Sequence, residues 1–172
     1  MNLKPQDILL VLKLAALEGK PWTQAGLAMD LGFSQGEVSS GLKRARAARL
    51  LVKAQGGIRP SREALIDFLL HGLPFVFVPE RGALTRGIPT AEAAPVLASR
   101  LAPADQPPPV WPDPDGETRG EAFSPLYRSA PRAALRDEKL YALLALVDAV
   151  RGGRARARSL AQEELRRRLR AP

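Results

Sequence analysis

Six basic residues lie between positions 43 and 59 with no acid among them: Lys43, Arg44, Arg46, Arg49, Lys53 and Arg59. The chemistry such a run can do is to pair with phosphates, releasing the counterions of a polyanion. Just upstream, Ser34, Gln35, Gly36, Ser39 and Ser40 are small or polar. Ser and Lys can donate to base edges, and Gln35 can read an adenine edge or hold a phosphate. Small residues let a helix approach the floor of a major groove. Arg59, beside the Gly56-Gly57 tip, is suited to a phosphate or the minor groove.

The residues that other chemistries need are scarce. The chain has no Cys, which removes thiol nucleophiles, disulfides and Cys-based metal sites. Its single His, His71, cannot form a His pair for a metal. It precedes Gly72 and reads as a cap for helix carbonyls. Asp113, Asp115 and Glu117 cluster among prolines and a glycine, without the spacing of a calcium loop, and read as a solvated turn. The stretch Arg81 to Gly87 has two Gly and two Arg but lacks the Lys-Ser/Thr of a phosphate loop, so a structured loop is expected. No Ser-His-Asp set, nucleotide fingerprint or metal-ligand cluster stands out. The expectation is a non-enzyme without cofactor or metal.

Composition agrees with a polyanionic partner. The 172 residues carry 26 Lys plus Arg against 18 Asp plus Glu, a net charge of +8. That charge is uneven: residues 1–60 carry +5, residues 61–130 carry −3 and residues 131–172 carry +6. Aromatics are 5%, too few for a surface that stacks single-stranded bases. The length fits one domain, or a small one with an appendage. Roughly two-thirds of the unfolded surface can be buried at this size, so no staple is needed. The N-terminus shows no basic stretch ahead of a clean apolar run, and Lys13 interrupts the run from Ile8 to Leu17. Neither a signal peptide nor a membrane span is expected, and the chain reads as cytoplasmic. The Ala, Arg, Leu and Pro bias suggests a GC-rich bacterial genome.

Several elements are needed to hold the basic run. Pro5 opens a helix with Ile8, Leu12, Ala15 and Ala16 at helical spacing, closed by Gly19-Lys20-Pro21. Thr23 caps a short helix, Gln24 to Leu31, stopped by Gly32. Ser34 and Glu37 form a capping box for a third helix reaching about Leu50. On its wheel Val38, Leu42 and Ala45 face inward, while Gly36, Ser39, Ser40, Lys43 and Ala47 face outward, with Arg44 and Arg46 on the flanks. Leu51 to Ala54 and Ile58 to Pro60 read as strands around a Gly-Gly turn. Ser61 caps a helix to His71. Residues 73–79, bracketed by Pro74 and Pro79, read as a buried strand. The Pro-rich stretch 95–131 reads as an arm packed on the core, because linkers seldom carry a residue such as Trp111. Arg136 to Val150 forms a helix with a wide apolar face, and Arg154 to Leu169 a last helix.

Helix, short helix, sharp turn, basic helix and two-stranded ribbon is a winged helix-turn-helix order. The segment from Ser34 to Val52 resembles the recognition helix and first wing strand of MarR-like bacterial winged-helix regulators. Such regulators often carry Gly before the Leu pair that enters the wing, and here Arg49 stands there. The fold expected is mainly α with a small β component: a winged helix-turn-helix domain over 1–72, a Pro-rich region over 73–131, and C-terminal helices over 132–172. The resemblance implies sequence-specific binding of double-stranded DNA and transcriptional regulation. The DNA-binding set is Thr23, Gln24, Ser34, Gln35, Gly36, Ser39, Ser40, Lys43, Arg44, Arg46, Lys53 and Arg59. The apolar face of residues 135–150 is expected to close the core, build a homodimer or receive a protein partner. The alternative function is an antitoxin-like or adaptor protein whose residues 74–172 bind another protein.

Overall fold

A helix that is apolar all round must be covered all round. The run Ile8 to Leu14 is of this kind, and the expected one-sided helix is in fact central. The computed structural model describes residues 2–171. In it α1 (Pro5–Ala16) buries Asp7 to Leu14 without interruption. It is covered by α2 (Gln24–Leu31), α3 (Gln35–Ala47) and α8 (Glu138–Gly152). Its one buried cation, Lys13, is compensated by Asp137 at 2.8 Å and Asp30 at 3.4 Å.

The turn from α2 to α3 is Gly32-Phe33-Ser34. Gly32 adopts a left-handed φ of 68°, which lets the chain leave α2 sharply. After α3 the chain forms a hairpin of β1 (Leu51–Ala54) and β2 (Gly57–Pro60), paired Leu51 with Pro60 through Ala54 with Gly57. Next come α4 (Arg62–His71) and a single turn, α5 (Leu73–Val76). Ser61 precedes α4 but makes no side-chain cap bond, unlike the cap expected. The buried strand expected over 73–79 does not form. Pro74 lacks an N–H for a ladder and fits the first turn of a helix instead. Phe75, Val76 and Val78 are therefore exposed, while Leu73 is buried.

The expected loop at 81–87 is part of a strand, β3 (Arg81–Pro89). It pairs antiparallel with both β4 (Pro109–Pro112) and β5 (Thr118–Phe123), which pair parallel with each other. The three strands close on themselves. Closure needs backbones to approach closely, and a Cβ at Gly87 or Gly120 would overlap the carbonyls of Trp111 or Pro108. The glycines of this stretch serve that approach rather than an anion nest. Between β3 and β4, a 3-10 turn at Ala91–Ala93 and the short α6 (Pro95–Ala98) pack on α8. The chain is mixed α/β, 54% helix and 16% strand in small sheets, and this second sheet lies in the 73–131 region expected to hold strand and loop.

The Pro-rich arm is tied to α8 by a buried polar knot. Asp148 accepts from Thr90 Oγ1 at 2.6 Å, Trp111 Nε1 at 2.7 Å and Arg151 Nη2 at 2.9 Å. Arg151 also donates to the carbonyls of Phe77 at 2.9 Å and Ser124 at 2.8 Å. Burial pushes the Asp148 carboxyl up, while the Arg151 charge and the Thr90 and Trp111 donors oppose that shift.

Two more helices complete the chain, α7 (Ala130–Leu135) before α8 and α9 (Ala155–Arg170) after it. The boundaries shift from those expected, because Asp137 caps α8 by accepting from Leu140 N at 3.1 Å. The apolar face of α8 is spent within the chain: Leu140, Leu143, Leu144, Leu146, Val147 and Val150 are all buried. This face closes the core of the chain, while Leu135, at the start of the expected 135–150 face, stays exposed. Residues from 1–72, 73–131 and 132–172 all belong to one hydrophobic cluster. Among the described residues no helix is long and apolar enough to cross a membrane.

Candidate nucleic-acid interface

The start of α3 is held by reciprocal bonds. Ser34 Oγ accepts from Glu37 N at 3.1 Å, and Glu37 Oε2 accepts from Ser34 N at 2.7 Å. The Ser34 N–H bond, helped by Ser34 Oγ, Tyr127 and the nearby Arg128 charge, holds the Glu37 carboxyl below its ordinary range. Val38, Gly41, Leu42 and Ala45 seat the helix inward. A Cβ on Gly41 would sit 3.0 Å from Leu10 and 3.1 Å from Asp7, so this glycine lets α3 lie close on α1.

The opposite face carries the residues read from the sequence. Gln35, Gly36, Ser40, Lys43 and Arg46 are exposed, and Ser39 is half-buried. Thr23 and Gln24 are exposed at the start of α2, where Thr23 Oγ1 accepts from Gly26 N at 2.9 Å. Thr23 and Ser34 therefore already serve as helix caps, each keeping a hydroxyl proton to donate.

Arg44 departs from its expected role. Its Nε and Nη2 donate to the two carboxylate oxygens of Asp7 at 2.7 and 2.8 Å, and Asp7 is 1% exposed. This two-pronged pair locks α3 to α1 and neutralises the charge. The reason is geometric: Arg44 follows Lys43 by about 100° on the wheel, which turns it toward α1. Arg44 is thus a fold-holding residue, not a free phosphate contact.

The remaining cations differ in freedom. Lys43, Arg46, Arg49 and Lys53 are exposed, with no hydrogen bond or ion pair to the described residues. Arg49 has a left-handed φ of 65°, the conformation that Gly would adopt without strain. On the hairpin, Arg59 stands opposite Val52 and Lys53 opposite Ile58, so the two cations project from opposite faces. Arg59 also donates to the Gln55 carbonyl of its own turn.

Part of the Pro-rich arm also reaches this site, a contact that the sequence does not indicate. Residues 124–129, between β5 and α7, pass the start of α3. Tyr127 packs edge-on against Phe33, ring centroids 5.5 Å apart, and its hydroxyl donates to Glu37 Oε1 at 3.3 Å. Nothing local in the sequence signals this contact, because Glu37 and Tyr127 are 90 residues apart.

Among the described residues no group of His, Cys, Asp or Glu is arranged to hold a metal ion. Comparison with protein-family models, with curated proteins and with solved structures finds no match.

Proposed function

We propose that the chain binds double-stranded DNA, with α3 entering the major groove of a winged helix-turn-helix unit, and that it regulates transcription in a bacterial cytoplasm. One observation carries the reading. The exposed side of α3 presents Ser40, Lys43 and Arg46, with the half-buried Glu37 at the helix start as its one acid, and is continued by Arg49 and Lys53; none of these cations pairs with a carboxylate among the described residues. A purely structural helix of this exposure would balance its cations with Glu at helical spacing. Gln35, Gly36, Ser39 and Ser40 lie toward the helix start, where recognition helices meet base edges. Thr23, Gln24 and Ser34 would donate to the backbone beside the groove, and Lys53 and Arg59 would brace it from the hairpin.

The direct test is a mobility-shift measurement on the protein's own promoter DNA at about 150 mM salt. The double variant Lys43→Ala with Arg46→Ala is expected to lose binding while its circular dichroism stays native. Wild type that retards no DNA fragment specifically would end the regulator reading.

A second reading, an antitoxin-like or adaptor role, is favoured by the exposure of Phe75, Val76 and Val78 within four residues (81, 61 and 69%). This patch is an apolar surface that a homodimer or another protein could cover. A neighbouring gene that is toxic alone and harmless when co-expressed would select this reading.

A further inference from the structure

Arg128 brings a cation beside the start of α3 from a segment remote in sequence. It is exposed, and its guanidinium lies 5.0 Å above the centroid of the Tyr127 ring. It makes no ion pair with the described residues. Tyr127 is in turn fixed to α3 through Phe33 and Glu37. Ser129 closes the other side, with its Cβ 3.4 Å from where a Cβ on Gly32 would lie. The segment is thus docked onto the turn and first residues of α3 by Tyr127 and Ser129, with Arg128 between them on the outer side of the Tyr127 ring.

Glu37 is the one acid on α3, and it sits at the helix start. A phosphate approaching that end would meet a carboxylate, which opposes binding. The carboxylate accepts from Ser34 N and the Tyr127 hydroxyl, and the nearby Arg128 charge offsets it without forming an ion pair with it.

We propose that Arg128 is a further DNA-backbone contact, a cation held on the Tyr127 ring beside the start of α3 that takes a phosphate flanking the groove α3 enters. This rests on the DNA-binding reading and adds to it: the interface would join residues of the first 60 positions with one from the Pro-rich arm. A stacked guanidinium is preorganised, so less side-chain freedom is lost when it pairs.

The experiment is the salt dependence of affinity for promoter duplex DNA, measured for wild type, Arg128→Ala, Arg128→Lys and Arg156→Ala. Arg156 is an exposed cation on α9, which packs on α4, α6 and α8 rather than on α3. Arg128→Ala is expected to weaken binding about 3- to 10-fold at 150 mM salt. It should also lower the slope of log K against log salt by about 0.9, the value of one lost phosphate contact. Arg128→Lys should recover the slope, and Arg156→Ala should leave it unchanged. An unchanged slope in Arg128→Ala with wild-type binding intact overturns this contact alone. An equal loss in Arg156→Ala also overturns it, because the effect would then be net charge. Absence of duplex binding by wild type removes the DNA reading, and this inference with it.

Discussion

Lys43 and Arg44 are neighbours of like charge with opposite occupations. Lys43 is free in solvent, whereas Arg44 is spent on the buried Asp7. Replacing Arg44 by Ala leaves Asp7 an unpaired buried carboxylate, which costs about 3–5 kcal/mol for a pair broken on one side. Arg44→Ala is therefore expected to lower the midpoint of thermal unfolding clearly, and Lys43→Ala to leave it nearly unchanged, its effect on stability staying within about 0.5 kcal/mol. Equal midpoints for the two variants would contradict the Asp7 lock. Arg49 is a second case of a residue doing something other than its type suggests. Its left-handed φ of 65° is strained for a side chain. Arg49→Gly should relieve that strain and change stability by no more than about 1 kcal/mol, in the stabilising direction, by denaturant titration. The same change should weaken DNA binding on the proposed reading, so stability and affinity would move oppositely.

At the scale of elements, α9 shows how one carboxylate can hold several cations of a strongly basic helix. Glu164 accepts from Arg168 Nε at 2.8 Å and Arg167 Nε at 3.1 Å, and Arg100 lies 3.4 Å away. Hydrogen bonding to Arg167 and Arg168 and their charges lower its carboxyl to about 2, against the opposing effect of burial. The folded value lies below the unfolded value of about 4.3, so the stabilisation is fully present above about pH 5 and is lost as pH falls toward 2. Its size is about 1–2 kcal/mol, discounted because Arg167 is largely in solvent. Glu164→Gln should therefore lower stability at pH 7 and flatten the acid limb of the stability curve between pH 5 and 2. An acid limb identical to wild type would show that Glu164 carries no such linkage. Arg170 is likewise paired, with Glu63 on α4. Arg167, Arg168 and Arg170 of the C-terminal block are thus engaged in ion pairs that hold α9, which the cation count alone does not reveal.

At the scale of the whole molecule, the three sequence segments are not separable. α1 packs on α8, and α4 packs on α8 and α9. A fragment of residues 1–72 would expose the sides of α1 and α4 that those helices cover. It is expected to give no cooperative thermal transition and no native near-ultraviolet signal from Trp22, while the full chain gives both. A cooperative fragment would mean that the first 72 residues hold a core of their own. The joint core also bears on the proposed function, since it fixes the segment carrying Tyr127 and Arg128 against α3.

The sequence by itself determined what depends on near neighbours. The caps at Thr23 and Ser34, the stop at Gly32, the inward set Val38, Leu42 and Ala45 and the hairpin around Gly56-Gly57 are legible because their partners lie within a few residues. The face of α3 that holds Ser40, Lys43 and Arg46 follows from the same periodicity. Tertiary structure alone decided what depends on distant partners. A helix wheel shows that α8 is apolar but not what covers it, which is α1, α7, α9 and the 3-10 turn. Strand propensity over 73–79 lost to the want of a ladder partner and to Pro74, while the 81–87 stretch gained two partner strands from residues 109–123. The separation of Lys43 from Arg44 was decided by a carboxylate 37 residues earlier in the chain. Burial sets the reason: a charge count assigns each cation equally to solvent, but a buried Asp7 must claim one, and packing geometry chooses which.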